Sequence, residues 1–224
     1  MLKVGHRGAS KYEPENTILS FKKAFKMGAD AVEFDVRQTK DGKIIVMHDK
    51  SVDRTTNGFG LVNEMTLREI RKLDAGNGEK VPTLKEALSI VKKNKGTCLV
   101  EIKEKGIEEK VLKEIKKLKM EKNVIITSFY TQSLKRVKEL NPKIETGLIT
   151  MNKIKNTFGF LRLCKAIKVD WVLPEKKSLT KKFAEEIRKW KLKIIIWLVN
   201  SKKEFKKWEK IVDGIATNDP NIFT

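Results

Sequence analysis

Ala31-Val32-Glu33-Phe34-Asp35-Val36-Arg37 alternates apolar and charged side chains. A period of two marks a β-strand with two unlike faces. Val32, Phe34 and Val36 share one face, and Glu33 and Asp35 share the other. The run Cys98-Leu99-Val100-Glu101-Ile102-Lys103 repeats the pattern, with Cys98, Val100 and Ile102 on one side and Glu101 and Lys103 on the other. The apolar faces suit packing against helices, so the carboxylates point to the inner side of the sheet. Outward from these two runs, eight strand candidates are spread along the chain, at 3–6, 31–37, 97–103, 123–128, 144–149, 169–173, 193–199 and 214–217. Helical stripes fall between them, such as Phe21, Ala24 and Phe25, or Phe183, Ile187 and Trp190. Thr83-x-x-Glu86 and Ser201-x-x-Glu204 read as capping boxes, and Gly28 is placed to end the first helix.

Strands alternating with helices predict a parallel βα array. A closed (β/α)₈ (TIM) barrel removes both sheet edges. The competing doubly wound sheet lacks a GxGxxG after its first strand. One interval breaks the rhythm. Asp41-Gly42 separates the 31–37 strand from another strand-like run at 43–47, which reads as a hairpin. Residues 49–80 follow, with turn residues and one short helix opened by Thr66-x-x-Glu69. They read as an insertion on the barrel rim within one domain spanning 1–224.

A chain of 224 residues with 40% hydrophobic content can bury a sizeable core. The longest apolar run, Ile194 to Val199, is too short to span a membrane. The opening Met-Leu-Lys-Val-Gly-His lacks the apolar stretch of a secretory signal. Cys98 and Cys164 lack CxxC spacing and read as reduced, buried thiols, so a cytoplasmic protein is expected. The charge is +20, from 49 Lys+Arg against 29 Asp+Glu. Pairs such as Lys22-Lys23, Lys116-Lys117 and Lys206-Lys207 spread this charge over outer helix faces along the whole chain. With no zinc finger or RNP motif, no specific nucleic-acid partner is expected.

The chain has two histidines, and each closes a strand candidate: His6 the first, His48 the hairpin's second. In a (β/α)₈ barrel the C-terminal strand ends carry the chemistry. Three inward carboxylates, Glu33, Asp35 and Glu101, repel one another unless something neutralises them. A hard divalent cation does so. A salt-bridge network with Lys103 and Arg7 does so as well. On alternation alone the cation stands level with its alternatives, that network or charges facing outward from a solvated sheet.

His6-Arg7-Gly8-Ala9 with Pro14-Glu15-Asn16-Thr17 resembles the opening of the glycerophosphodiester phosphodiesterase family. Glu33-x-Asp35-Val36, Thr39-x-Asp41-Gly42 and Val46-x-His48-Asp49 resemble its second signature, continued by Asp53-Arg54-Thr55-Thr56-Asn57-Gly58-x-Gly60. Val81-Pro82-Thr83-Leu84-x-Glu86, Glu101-Ile102-Lys103, Trp197-x-x-Asn200 and Gly214-Ile215-x-Thr217 follow in the family's order. The resemblance implies a (β/α)₈ barrel that hydrolyses glycerophosphodiesters to sn-glycerol 3-phosphate and an alcohol. It implies His6 and His48 as the acid–base pair. It implies Glu33, Asp35 and Glu101 as ligands of one divalent cation, Mg²⁺ or Ca²⁺. Arg7 and Lys103 match phosphate-contacting cations, and Trp197 an aromatic lining the substrate pocket. The alternative is a lysophospholipase D with the same site and an apolar groove between the insertion and the helix at 158–167, a helix expected to pack into the core instead. One departure stands out: Asn218 occupies a position where Asp is commoner in the family.

Overall fold

The computed structural model describes residues 1–224. Eight parallel strands close into a barrel: β1 (Leu2–His6), β2 (Ala31–Gln38), β4 (Thr97–Ile102), β5 (Val124–Ser128), β6 (Glu145–Thr150), β7 (Trp171–Pro174), β8 (Lys193–Ile196) and β9 (Gly214–Thr217). Closure comes from β1, which pairs with both β9 and β2. A short strand β3 (Ile44–Val46) runs antiparallel to β2, with Val36 opposite Val46. This is the hairpin that Asp41-Gly42 turns.

Helices cover the outside: α1 (Ile18–Lys26), α3 (Leu84–Lys93), α4 (Glu108–Lys117), α5 (Thr131–Leu140), α6 (Thr157–Ala166), α7 (Lys181–Lys189) and α8 (Lys202–Trp208), with a four-residue α2 (Leu67–Ile70) in the insertion. None is long and apolar enough to cross a membrane. Thr66 and Thr83 each make a complete capping box with Glu69 and Glu86. Ser201 caps α8 by accepting from the Glu204 amide, but the Glu204 carboxylate takes the amide of Asn200 instead of Ser201. The expected box is therefore half formed.

The period of two sorts the core into layers. Val32, Phe34 and Val36 face outward with Cys98, Val100 and Ile102 into the main cluster under the helices. Val4, Leu99, Ile125, Ile149, Trp171, Leu173, Ile195 and Ala216 fill the barrel's inside. A third, smaller cluster joins Ile45 and Met47 to Val52, Val62, Ile70, Ala75 and Val81, so residues 49–80 carry a core of their own resting on the hairpin. Both cysteines are free and buried, and burial pushes the Cys164 thiol up to about 12.

Two strand boundaries move by more than one residue. The 193–199 run is a strand only to Ile196; Trp197 keeps a single bridge to Glu175, and its indole N–H donates to the Leu173 carbonyl at 2.9 Å. The 169–173 strand begins only at Trp171, since Lys168 has positive φ and Asp170 is bonded at the barrel's base.

Candidate active site

The C-terminal strand ends gather the site. His6 closes β1; Lys103, Phe129, Met151, Trp197 and Asn218 are each the first residue past β4, β5, β6, β8 and β9. Strand register places His6 opposite Glu33, and Asp35 opposite Glu101. His48 arrives differently, on the return arm of the hairpin, where the Met47 amide donates to the Asp35 carbonyl. A cavity of about 360 Å³ is lined by both imidazoles together with Arg7, Glu33, Glu101 and Lys103. The turn after His6 is tight: Gly8 has φ +84°, and a Cβ there would collide with Ser20.

Each imidazole is held by its Nδ1. That of His48 lies 2.6 Å from the Asp49 carboxylate, which can only accept, so Nδ1 carries the hydrogen. That of His6 lies 2.7 Å from Asn218 Oδ1, which also accepts from Ser10 Oγ at 3.1 Å. With Oδ1 as acceptor, His6 is likewise the Nδ1–H tautomer, and both rings keep Nε2 for the cavity. Their partners differ in charge. Burial, aided by the Arg7 charge, lowers the His6 pKa to about 4, against the smaller opposing effects of Asp35, the Asn218 bond and Glu15. The Arg37 guanidinium, itself buried, donates from Nε and Nη2 to the His48 carbonyl at 2.9 and 2.7 Å and fixes that residue's backbone.

Glu33, Asp35 and Glu101 are buried, and each offers an oxygen within 4.8 Å of the others. Lys103 Nζ reaches Glu101 at 2.7 Å and Asp35 at 3.5 Å, and Arg7 Nε lies 3.4 Å from Asp35. Asn16 donates to Asp35 at 2.9 Å, and the Arg7 amide to Glu33 at 3.0 Å. This arrangement does not satisfy the three carboxylates. Burial and the Asp35 charge raise Glu33 well above the usual carboxylate range, and the same causes raise Glu101 to about 7. Burial would raise Asp35 too, but Arg7, Lys103 and His48 hold it low. Glu33 Oε1 is buried with no hydrogen-bond partner. An orphaned carboxylate oxygen beside two more carboxylates is the donor set of a hard divalent cation. The residues present therefore fit the ion, and the ion-pair network with Arg7 and Lys103 coexists with that fit.

All eight residues singled out in the sequence thus meet at one place: His6, Arg7, Glu33, Asp35, His48, Glu101, Lys103 and Trp197. The helix at 158–167 is not among them. Leu161, Cys164 and Ile167 are buried in the main core, while Phe158 and Leu163 stay exposed on the outer surface. No groove joins this helix to the insertion at the cavity. The cavity's apolar wall is instead Leu99, Phe129, Ile149, Met151, Leu173, Trp197 and Ala216, with Phe129 edge-on to Trp197 at 6.3 Å. Phe129, Ile149 and Met151 went unnoticed in the sequence, though their place at or just past strand ends is the signal that marks them. Asn16, Asp49 and Arg54 were visible within motifs but without partners.

A profile of the glycerophosphoryl diester phosphodiesterase family matches residues 6–222. A glycerophosphodiester phosphodiesterase of Caldanaerobacter subterraneus subsp. tengcongensis is 39% identical over 98% of this chain and 94% of its own length. The crystal structure of a glycerophosphodiester phosphodiesterase from Agrobacterium tumefaciens superposes with a TM-score of 0.88 at 27% identity, covering 100% of this chain and 98% of that one. An Oleispira antarctica phosphodiesterase, solved in complex with the product sn-glycerol-3-phosphate, shares the fold with a TM-score of 0.88 at 24% identity, covering 99% and 94%. The barrel, the ordered motifs and these likenesses agree. The chain belongs to the glycerophosphoryl diester phosphodiesterase family and, with it, to the phosphoric diester hydrolases.

Proposed function

We propose that this protein hydrolyses small glycerophosphodiesters, such as glycerophosphocholine, to sn-glycerol 3-phosphate and an alcohol, by acid–base catalysis between His6 and His48 beside a divalent cation held by Glu33, Asp35 and Glu101. The observation that carries this reading is the pair of imidazoles, each fixed through Nδ1, lining one cavity with three carboxylates and two cations. When bound, Mg²⁺ or Ca²⁺ supplies a Lewis acid for phosphoryl oxygen and a counter-charge for the carboxylates.

The chain's own groups divide the remaining work. Arg7 and Lys103 offset the substrate's negative charge as it builds on phosphorus. The partners of the histidines support an assignment of roles. Burial keeps His6 neutral and so suited to act as the base, which leaves His48, oriented through the Asp49 carboxylate, to act as the acid. His6 Nε2 then takes the proton of the glycerol 2-hydroxyl. That oxygen bonds to phosphorus while the bond to the alcohol oxygen breaks, and His48 Nε2 protonates the departing alkoxide. A cyclic 1,2-phosphate results, and water opens it with the two histidines exchanging roles. An oriented internal hydroxyl has an effective molarity of roughly 10⁵–10⁸ M, far above that of water.

A propane-1,3-diol phosphodiester, which lacks the 2-hydroxyl, is expected to bind and barely turn over. A kcat comparable with that of the glycerol compound would leave direct attack by water as the route. The apolar wall from Leu99 to Trp197 favours one second reading, lysophospholipase D action with the acyl chain on that wall. A panel of glycerophosphocholine, glycerophosphoethanolamine and lysophosphatidylcholine, assayed with and without Mg²⁺ or Ca²⁺, separates the two by kcat/KM.

A further inference from the structure

The insertion contributes a residue that the reaction above does not use. In Asp53-Arg54-Thr55-Thr56-Asn57-Gly58, most polar side chains are taken up by their own surroundings. Asp53 accepts from the Gly60 amide at 2.9 Å, Thr56 Oγ1 donates to the Val52 carbonyl at 2.8 Å, and Asn57 Oδ1 accepts from the Asp74 amide at 2.8 Å. Arg54 alone reaches out of the insertion to the loop after β1. Its Nε donates to Asp49 Oδ2 at 2.5 Å and its Nη2 to Asp49 Oδ1 at 3.2 Å. Its Nη1 and Nη2 donate to Glu15 Oε2 and Oε1 at 2.9 and 2.8 Å. One planar guanidinium is thus forked on two carboxylates at once, a geometry an ammonium cannot copy.

The two carboxylates belong to the two halves of the site. Asp49 is the group on His48 Nδ1. Glu15 also accepts from Arg7 Nη1 at 2.8 Å, and Arg7 lines the cavity. An unbroken chain therefore runs from Asp35 through Arg7, Glu15, Arg54 and Asp49 to His48. Without Arg54, Asp49 loses its only two side-chain donors besides His48, and the carboxylate is free to rotate away from the imidazole.

We propose that Arg54 is a positioning residue for catalysis: by clamping Asp49 against Glu15 it fixes the tautomer and ring orientation of His48 and ties the insertion to the loop that carries Arg7. The proposal rests on the acid–base reading of His48. It also gives the insertion a function in the chemistry beyond covering the rim.

The test is a cycle of variants measured on glycerophosphocholine with the divalent ion present. R54Q and R54K are made in the native chain and in H48A, with thermal unfolding recorded for each. In the native background R54Q is expected to lower kcat about 10–100-fold, the usual effect of losing an outer partner that orients a histidine, with KM nearly unchanged. R54K keeps the charge, loses the fork and recovers only part of the loss. In the H48A background R54Q is expected to cost less than about twofold, because groups acting as one unit are not additive. The same factor lost in both backgrounds would make Arg54 a general latch of the insertion and overturn the proposal, as would an unchanged kcat in R54Q. Near-normal kcat in H48A would overturn the acid–base reading first, and the route through His48 with it. Should R54Q fail to fold, D49N in place of R54Q completes the cycle against R54K.

Discussion

Replacing Asn218 with alanine isolates the support of one imidazole. The Asn218 backbone keeps its anchors, since its amide donates to Asn200 Oδ1 at 2.9 Å and its carbonyl accepts from Lys11 at 3.0 Å. Only the side-chain oxygen that His6 Nδ1 and Ser10 Oγ share is removed. The His6 side chain is 17% exposed, so water reaches Nδ1 poorly. An enclosed N–H left without an acceptor costs about 1–3 kcal/mol. The ring can escape by rotating or by moving its hydrogen to Nε2, and either change removes the base. At 1.36 kcal/mol per decade, N218A should lower kcat about 5- to 150-fold, with KM little altered. N218D returns an oxygen to the same place and should recover most of the loss. Release of sn-glycerol 3-phosphate, coupled to its dehydrogenase, reports both constants. A kcat for N218A within about twofold of the native value would show that Asn218 does not orient His6, and the tautomer argument would fall.

Chelator-treated protein should lose activity and regain it with Mg²⁺ or Ca²⁺, and the added ion should raise the unfolding temperature of the native chain but not of E101Q; full turnover in stripped protein refutes the metal site. H6A and H48A should each lower kcat at least ~10²-fold while staying folded by circular dichroism, and a variant with near-native kcat would return its histidine to a structural role. Burial alone would raise the Glu15 pKa, but hydrogen bonds from Arg54 and the Arg7 charge hold it at about 2. A carboxylate lowered in the folded state contributes stability that is full above its ordinary pKa and lost as pH falls toward the folded value. Urea unfolding should therefore show E15Q less stable than the native chain at pH 6, with the gap narrowing between pH 4.5 and about 2; a gap that widens on acidification contradicts the assignment. Phe34 is fully buried and packs on Phe21 at 5.4 Å, so F34A should cost about 3–5 kcal/mol in the same assay, and a loss below about 1 kcal/mol would mean the outer barrel layer is poorly packed.

The eight strands and the inward carboxylates were legible because a strand's two faces follow from local alternation, as in Val32-Glu33-Phe34-Asp35-Val36. Capping at Thr66 and Thr83 was legible for the same local reason. What closed the ring was not local. The pairing of β1 with β9 joins residues about two hundred positions apart, and the Asn218–His6 bond depends on it. The apolar wall hid for a related cause: Leu99, Phe129, Ile149, Leu173 and Trp197 come from different strand ends, one or two from each. The α6 stripe misled in part because Phe158 and Leu163 lie on the outward side of the helix with Arg162 and Lys165; Phe158 contacts Trp190 at 5.8 Å yet remains 67% exposed.

The small cluster of Ile45, Met47, Val52, Val62, Ile70, Ala75 and Val81 packs as a unit apart from the barrel's two layers. Such units open with their own free energies, below that of global unfolding. The barrel's inner layer owes nothing to this cluster, whereas His48, Asp49 and Arg54 all ride on it. Amides of the insertion should therefore exchange with solvent sooner than those of β4 or β5. Each such opening takes one imidazole out of a barrel that stays closed. Turnover should therefore follow the local equilibrium of the rim residues 49–80 as well as the stability of the barrel.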